Sequence, residues 1–133
     1  MRTTSDVFHL AIGVHDLDVA QHFYVTLLGC KLARRYPDRI TLDFFGDQVV
    51  CHLTEGPPVE PGSLYPRHFG VTFADPADFE RLHELAVIRK IPFYLEVSDR
   101  FAGMAEEHRT FVLRDPTGNL LEFKSYRDPR MMY

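Results

Sequence analysis

The sequence predicts an α+β fold in which two βαβββ modules build a curved mixed sheet around a cavity. Three observations lead there. A pattern of one strand, one helix and three short strands occurs twice, at a repeat of about 60 residues. A stretch rich in proline and glycine separates the two occurrences. Four side chains suited to binding a metal fall on the strand faces that turn away from the predicted helices.

The first module covers about residues 6–55. Residues 6–14 (DVFHLAIGV) form its first strand. Asp16 caps a helix in which Leu17, Ala20, Tyr24, Leu27 and Leu28 make one apolar stripe, and Gly29 stops it. Short strands follow at about 31–36, 39–45 and 48–54, divided by Pro37-Asp38 and Gly46-Asp47. The segment 55–66 (EGPPVEPGSLYP) holds four of the nine prolines and two glycines, so it is a linker or a surface loop. The second module covers about 67–128. Its first strand is 67–74 (RHFGVTFA), and Asp75-Pro76 opens a helix with Phe79, Leu82, Leu85 and Ala86 on its apolar side. Strands follow at about 92–97, 108–114 and 120–126, the last two joined by Asp115-Pro116-Thr117-Gly118. The whole, residues 1–133, reads as one domain.

Composition narrows the function classes. Hydrophobic residues reach 45%, enough for a real core. Acidic residues outnumber basic ones, 19 to 15, and no basic run or basic-aromatic stripe marks a nucleic-acid surface. The start lacks the apolar core of a signal peptide, and no apolar run is long enough to span a bilayer. Two cysteines, Cys30 and Cys51, make no disulfide framework and are expected to be reduced. A cytoplasmic protein acting on a small molecule, without a nucleic-acid or membrane partner, is the expectation.

The chemistry lies in strand alternation. Phe8, Leu10, Ile12 and Val14 share the helix-facing side of the first strand, which leaves His9, Ala11 and Gly13 on the other. The same alternation puts His68, Gly70 and Thr72 opposite Phe69, Val71 and Phe73. It separates His52 from Cys51 and Leu53, and Glu122, Lys124 and Tyr126 from Leu121 and Phe123. His9 and His68 occupy equivalent places in the repeat, and His52 and Glu122 are expected to do the same. A single histidine on a half-buried strand is more often a satisfied polar residue than a ligand. Four ligand-type side chains at repeated positions favour a metal site, with Ala11, Gly13 and Gly70 leaving room for it. Imidazole and carboxylate together suit Fe(II), Mn(II), Ni(II), Co(II) or Zn(II), and two histidines with one carboxylate form the facial triad of non-haem iron oxygenases. His15, His22 and His83 are expected to be structural, and so is His108 at the start of its strand, with lining the cavity mouth as its alternative.

Around these residues the chain resembles the vicinal oxygen chelate superfamily, which includes glyoxalase I, extradiol dioxygenases and fosfomycin resistance proteins. FHLAIGVHDLDVAQHFYVTLLG is similar to the family's opening strand and helix, RHFGVTF to its second histidine strand, and RDPTGNLLEF to its closing turn and strand. The resemblance implies metal ligands at His9, His68 and Glu122. QVVCHLTE is similar to the strand that bears a fourth, glutamate ligand in glyoxalase I, with His52 in its place. FFGDQVVCHL, YPRHFG, RFAG and LLEFKSYRDP together look most like a bacterial subgroup of extradiol-type dioxygenases. The resemblance therefore implies a divalent metal, Fe(II) or Mn(II) first, and a homodimer. It also implies ring-cleavage-type chemistry on a substrate with two adjacent oxygens. His52 is then either a ligand or the base that deprotonates the substrate, since imidazole titrates near neutral pH. Glu122 and Tyr126 are the other candidate catalytic groups. The alternatives are a glyoxalase-like lyase or isomerase, with Glu122 or His52 as mobile base, and a metal-independent drug- or metabolite-binding module. The segment 98–109, with Arg100, Phe101, Gly103 and Arg109, is expected to form a lid. The alternative for Arg100 and Arg109 is solvated charge or pairing with Glu106 or Glu107. The tail RDPRMMY is expected to be disordered or to pack at an interface.

Overall fold

The computed structural model describes residues 2–58, 60 and 62–133. Val59 and Pro61, in the predicted linker, lie outside the described residues. The chain forms two compact units, Met1–Glu60 with Pro116–Gly118, and Pro61–Asp115 with Asn119–Tyr133. Each unit carries a four-stranded mixed sheet, so the α+β class and the βαβββ repeat hold.

In the first unit β1 (His9–Val14) leads into α1 (Leu17–Gln21), and then come β2 (Lys31–Arg35), β3 (Arg39–Phe44) and β4 (Asp47–Leu53). The sheet order is β1-β4-β3-β2, with β1 parallel to β4 and the other pairs antiparallel. Asp16 caps α1 by accepting the N–H groups of Asp18 and Val19. These bonds hold its carboxyl below the usual carboxylate range. The predicted regular helix does not continue to Gly29. Residues His22–Leu27 widen into a π-helical turn, closed by Leu28 N–H on the Phe23 carbonyl, five residues back. This face buries Phe23, missing from the predicted stripe, beside Tyr24. The strand expected from residue 6 starts at His9. Phe8 still accepts the Gln48 N–H through its carbonyl, but its own N–H goes to the Asp47 carboxylate and Asp6 closes a turn on Thr3, so the ladder ends there. β2 is exposed throughout and carries Lys31, Arg34 and Arg35, a charged edge that discourages further pairing.

The second unit repeats the plan with β5 (Phe69–Phe73), α2 (Pro76–Ile88), β6 (Phe93–Arg100), β7 (His108–Arg114) and β8 (Leu120–Tyr126), in the order β5-β8-β7-β6. Asp75 caps α2 with Pro76 in its first turn, as predicted. Phe79, Phe93, Phe111 and Phe123 pack ring to ring on the helix side of the sheet, and His83 joins them, which bears out its structural role. His15, also read as structural, bonds through Nδ1 to the Thr117 hydroxyl at 2.9 Å.

Three expectations for connecting segments change. The linker is not wholly a surface loop, because Leu64 is buried against Val112 and Leu120. The predicted lid shrinks to the turn 101–107, because β6 runs on to Arg100 and β7 begins at His108. Met104 N–H closes on the Phe101 carbonyl, and Gly103, at φ 81°, donates to the Glu107 carboxylate. Arg109 pairs with Glu80 and with Asp99 rather than with Glu106 or Glu107, and its guanidinium lies over Phe79. The tail ends in a 3-10 turn at Pro129–Met132, capped by Asp128. Both cysteines are free and buried. Among the described residues no helix is long and apolar enough to cross a membrane.

Candidate metal centre

The register explains why certain side chains gather. In the second unit β5 lies parallel to β8, with Gly70 opposite Glu122. His68 immediately precedes β5 and turns its imidazole toward that carboxylate, placing Nε2 3.1 Å from Glu122 Oε2. Two donors at right angles on one ion, each about 2.1 Å from it, are about 3.0 Å apart. The observed separation therefore suits a shared divalent ion as well as it suits a proton.

The rest of each side chain is already fixed. His68 Nδ1–H donates to the Leu64 carbonyl at 2.8 Å, which leaves the Nε2 lone pair for the site. The burial of Leu64 holds that carbonyl in place, and the Tyr65 ring meets the imidazole edge-on at 5.5 Å. Glu122 is only 6% exposed. Its Oε1 accepts from the Thr110 hydroxyl at 2.9 Å, and its Oε2 also lies 3.4 Å from Lys124 Nζ. Leu64 and Thr110 are absent from the predicted set. Thr110 was within reach of sequence reasoning, since an antiparallel β7–β8 pair puts it beside Lys124 and one rung from Glu122.

The first unit holds His9 in the same way. Its Nδ1 lies 2.5 Å from Gln48 Oε1, which can only accept, so Nε2 is again left with a free lone pair. His9 is exposed at the start of β1, and His52 is exposed near the end of β4.

The expected equivalence of His52 with Glu122 does not survive the register. Asp16 follows His9 by seven residues, and Asp75 follows His68 by seven, which fixes the repeat. Glu122 stands opposite Gly70, two residues after His68, while the residue two after His9 is Ala11, which stands opposite Val50. His52 stands opposite Gly13 and so corresponds to Lys124, opposite Thr72. The position matching Glu122 thus holds a buried valine, Val50. Gly70 also has a different purpose from the one expected. A Cβ there would lie 1.7 Å from the Glu122 carbonyl oxygen, so glycine is required for the two strands to pair, not for an open cavity.

On the Glu122 face of the second sheet, β7 aligns Val112 with Glu122, Thr110 with Lys124 and His108 with Tyr126. The His108 and Tyr126 rings meet at 4.7 Å, and His108 Nδ1–H donates to the Glu106 carbonyl. A pocket of about 220 Å³ reaches this pair from the α2 side, lined also by Phe79, Glu80, Arg109 and Ser125, and takes in neither Glu122 nor His68. Among the described residues no group of three or more His, Cys, Asp and Glu side chains is gathered closely enough to hold an ion. The structure brings together His68 and Glu122 in one unit, and sets His9 and His52 in the other.

Two βαβββ units, each with its first and last strands paired in parallel, are the architecture of the vicinal oxygen chelate fold. Residues 6–123 match the model of the Glyoxalase/Bleomycin resistance protein/Dioxygenase superfamily, and the chain belongs to that superfamily. A solved glyoxalase/bleomycin resistance protein/dioxygenase from Alicyclobacillus acidocaldarius is 65% identical, with full coverage of both chains and a TM-score of 0.94. Lactoylglutathione lyase from Agrobacterium tumefaciens shares the fold at 18% identity and a TM-score of 0.70, covering 97% of this chain and 98% of that one. The fosfomycin resistance protein FosX from Listeria monocytogenes does so at 12% and 0.71, covering 99% and 100%. Among curated protein sequences none is detectably similar to this chain.

Proposed function

We propose that this protein is a divalent-metal-dependent enzyme, an extradiol-type dioxygenase acting on a small substrate with two adjacent oxygens. His9, His68 and Glu122 are its metal ligands, and Fe(II) or Mn(II) is its working ion. The observation that carries the reading is the pairing of His68 Nε2 with Glu122 Oε2 at 3.1 Å, each side chain already held at its other end. Fixing the outer atoms of ligands is how proteins orient a metal's donor set.

The valine at position 50 favours this chemistry over a glyoxalase-like lyase. Without a fourth protein ligand from that strand, two histidines and one carboxylate leave the open positions that oxygenase chemistry uses. When bound, the ion supplies Lewis acidity and a template for the substrate oxygens and O₂. The protein's own side chains orient the substrate and move its protons. Tyr126, its ring braced by His108, offers a hydroxyl on the Glu122 face. His52, exposed at the end of β4, accepts the proton of a substrate hydroxyl. The working form is a homodimer.

The test is metal analysis of anaerobically purified protein, followed by O₂ uptake with a panel of catechols. Bound Fe or Mn, with O₂ consumed in step with loss of catechol absorbance, is expected. Absence of uptake across the panel by Fe(II)-loaded protein overturns the dioxygenase reading, and anaerobic turnover with Ni(II) or Zn(II) replaces it with the lyase.

A further inference from the structure

Glu122 Oε2 is contested. It lies 3.1 Å from His68 Nε2 and 3.4 Å from the ammonium of Lys124, which follows two residues later on the same strand face. The Lys124 side chain is only 28% exposed, so its charge is not simply dissolved in water. In the metal-free chain Glu122 is the carboxylate that balances it. A carboxylate oxygen given to a divalent cation no longer balances an ammonium, and the ammonium then faces like charge. Its flanking residues in the sheet cannot help, because Thr72 and Thr110 are neutral. Metal loading therefore leaves Lys124 in need of an anion, and the substrate is the species that arrives next.

Resting on the metal reading above, we propose that Lys124 determines specificity by pairing with a carboxylate on the substrate. The substrate class is a dihydroxyaromatic acid, one that offers two adjacent oxygens to the metal and an acid group to the ammonium. A charge-assisted hydrogen bond of this kind is about twice as strong as a neutral one, and an effect of about tenfold or more in affinity is expected.

Anaerobic calorimetry on Co(II)-loaded protein tests this without turnover. The probes are 2,3- and 3,4-dihydroxybenzoate, each against its carboxamide, which keeps shape and diol but lacks the charge. At least one acid should bind about tenfold or more tighter than its amide. Lys124→Met should remove that preference while leaving amide affinity in place, and Lys124→Arg, which also controls for folding, should retain it. Equal binding of acids and amides by the natural protein overturns the proposal, as does a preference that persists in Lys124→Met. Co(II) that fails to bind brings down the metal reading and this one with it, whereas Co(II) that binds with no acid preference brings down this one alone.

Discussion

Replacing Thr110 with valine tests whether the Glu122 carboxylate is held as described. Valine keeps the β-branched shape and strand preference, so packing in β7 is conserved and only the hydroxyl is lost. That hydroxyl lies 2.9 Å from Glu122 Oε1 and 3.1 Å from the Phe123 carbonyl, with both threonine and glutamate buried. A hydrogen bond to a charged group contributes about 1.5–3 kcal/mol. One proton is shared between two acceptors here, so the lower half of that range, about 2 kcal/mol, is appropriate. For a chain of 133 residues the unfolding entropy is roughly 0.28 kcal/mol per kelvin, which converts the loss to about 7 °C in Tm. Thermal and urea unfolding of the metal-free protein, followed by circular dichroism, measures it. Co(II) affinity, which depends on how the carboxylate is held, should fall about tenfold or more in the same variant, and Thr110→Ser should restore most of it. A valine variant that melts within about 1 °C of the natural protein and binds Co(II) equally well would refute the argument that this hydroxyl positions the ligand.

Two other expectations follow from the packing. Gly70→Ala forces a Cβ into the Glu122 backbone carbonyl and should cost more than about 4 kcal/mol or prevent folding. Gly13→Ala meets the Thr54 side chain, nearest at its methyl at 2.9 Å, and should cost far less, so urea unfolding that ranks the pair the other way would show the β5–β8 approach to be misread. Cys30 has its thiol pushed up to about 12, first by burial and then by the nearby Asp43 charge. Because the folded value is raised, its contribution to stability is complete below the ordinary value of 9.0 and is lost as pH rises toward 12. Stability should decline across that window, and the folded protein should resist thiol reagents at pH 8, where immediate labelling would contradict the burial.

The repeat and its strand faces were legible because they depend on local periodicity. Leu121 and Phe123 had to face a helix, and alternation then sent Glu122, Lys124 and Tyr126 the other way. The caps at Asp16 and Asp75 were legible for the same reason, since capping is settled within a few residues. The π-helical turn after Gln21 was not, because it buries two successive residues, Phe23 and Tyr24, where the predicted stripe had only Tyr24. Leu64 was hidden in a proline-rich segment that looked like surface. One apolar residue in such a run carries no period, yet here it anchors the carbonyl that orients His68. The register error at His52 has a similar cause. Alternation fixes the face of a side chain but not its height along the strand, and two residues of slip preserve the face.

That slip bears directly on chemistry. On the parallel pair β1–β4, His9 stands opposite Gln48, and Gln48 holds its Nδ1. On β5–β8, extending the register by one residue puts His68 opposite Leu120, and the task of holding Nδ1 passes to the Leu64 carbonyl. Two rungs on, the partners are Val50 in one unit and Glu122 in the other, and four rungs on they are His52 and Lys124. The two units therefore agree at the histidine and differ at both later rungs. One places a carboxylate where the other places a hydrocarbon, and one places a cation where the other places an imidazole. Exact repetition would have given each unit one histidine and one carboxylate at these heights. The chain instead carries two histidines and one carboxylate at these heights, with the imidazole of His52 in one unit and the ammonium of Lys124 in the other at the matching later rung. The missing second carboxylate is what separates the proposed three-donor set from a four-donor one.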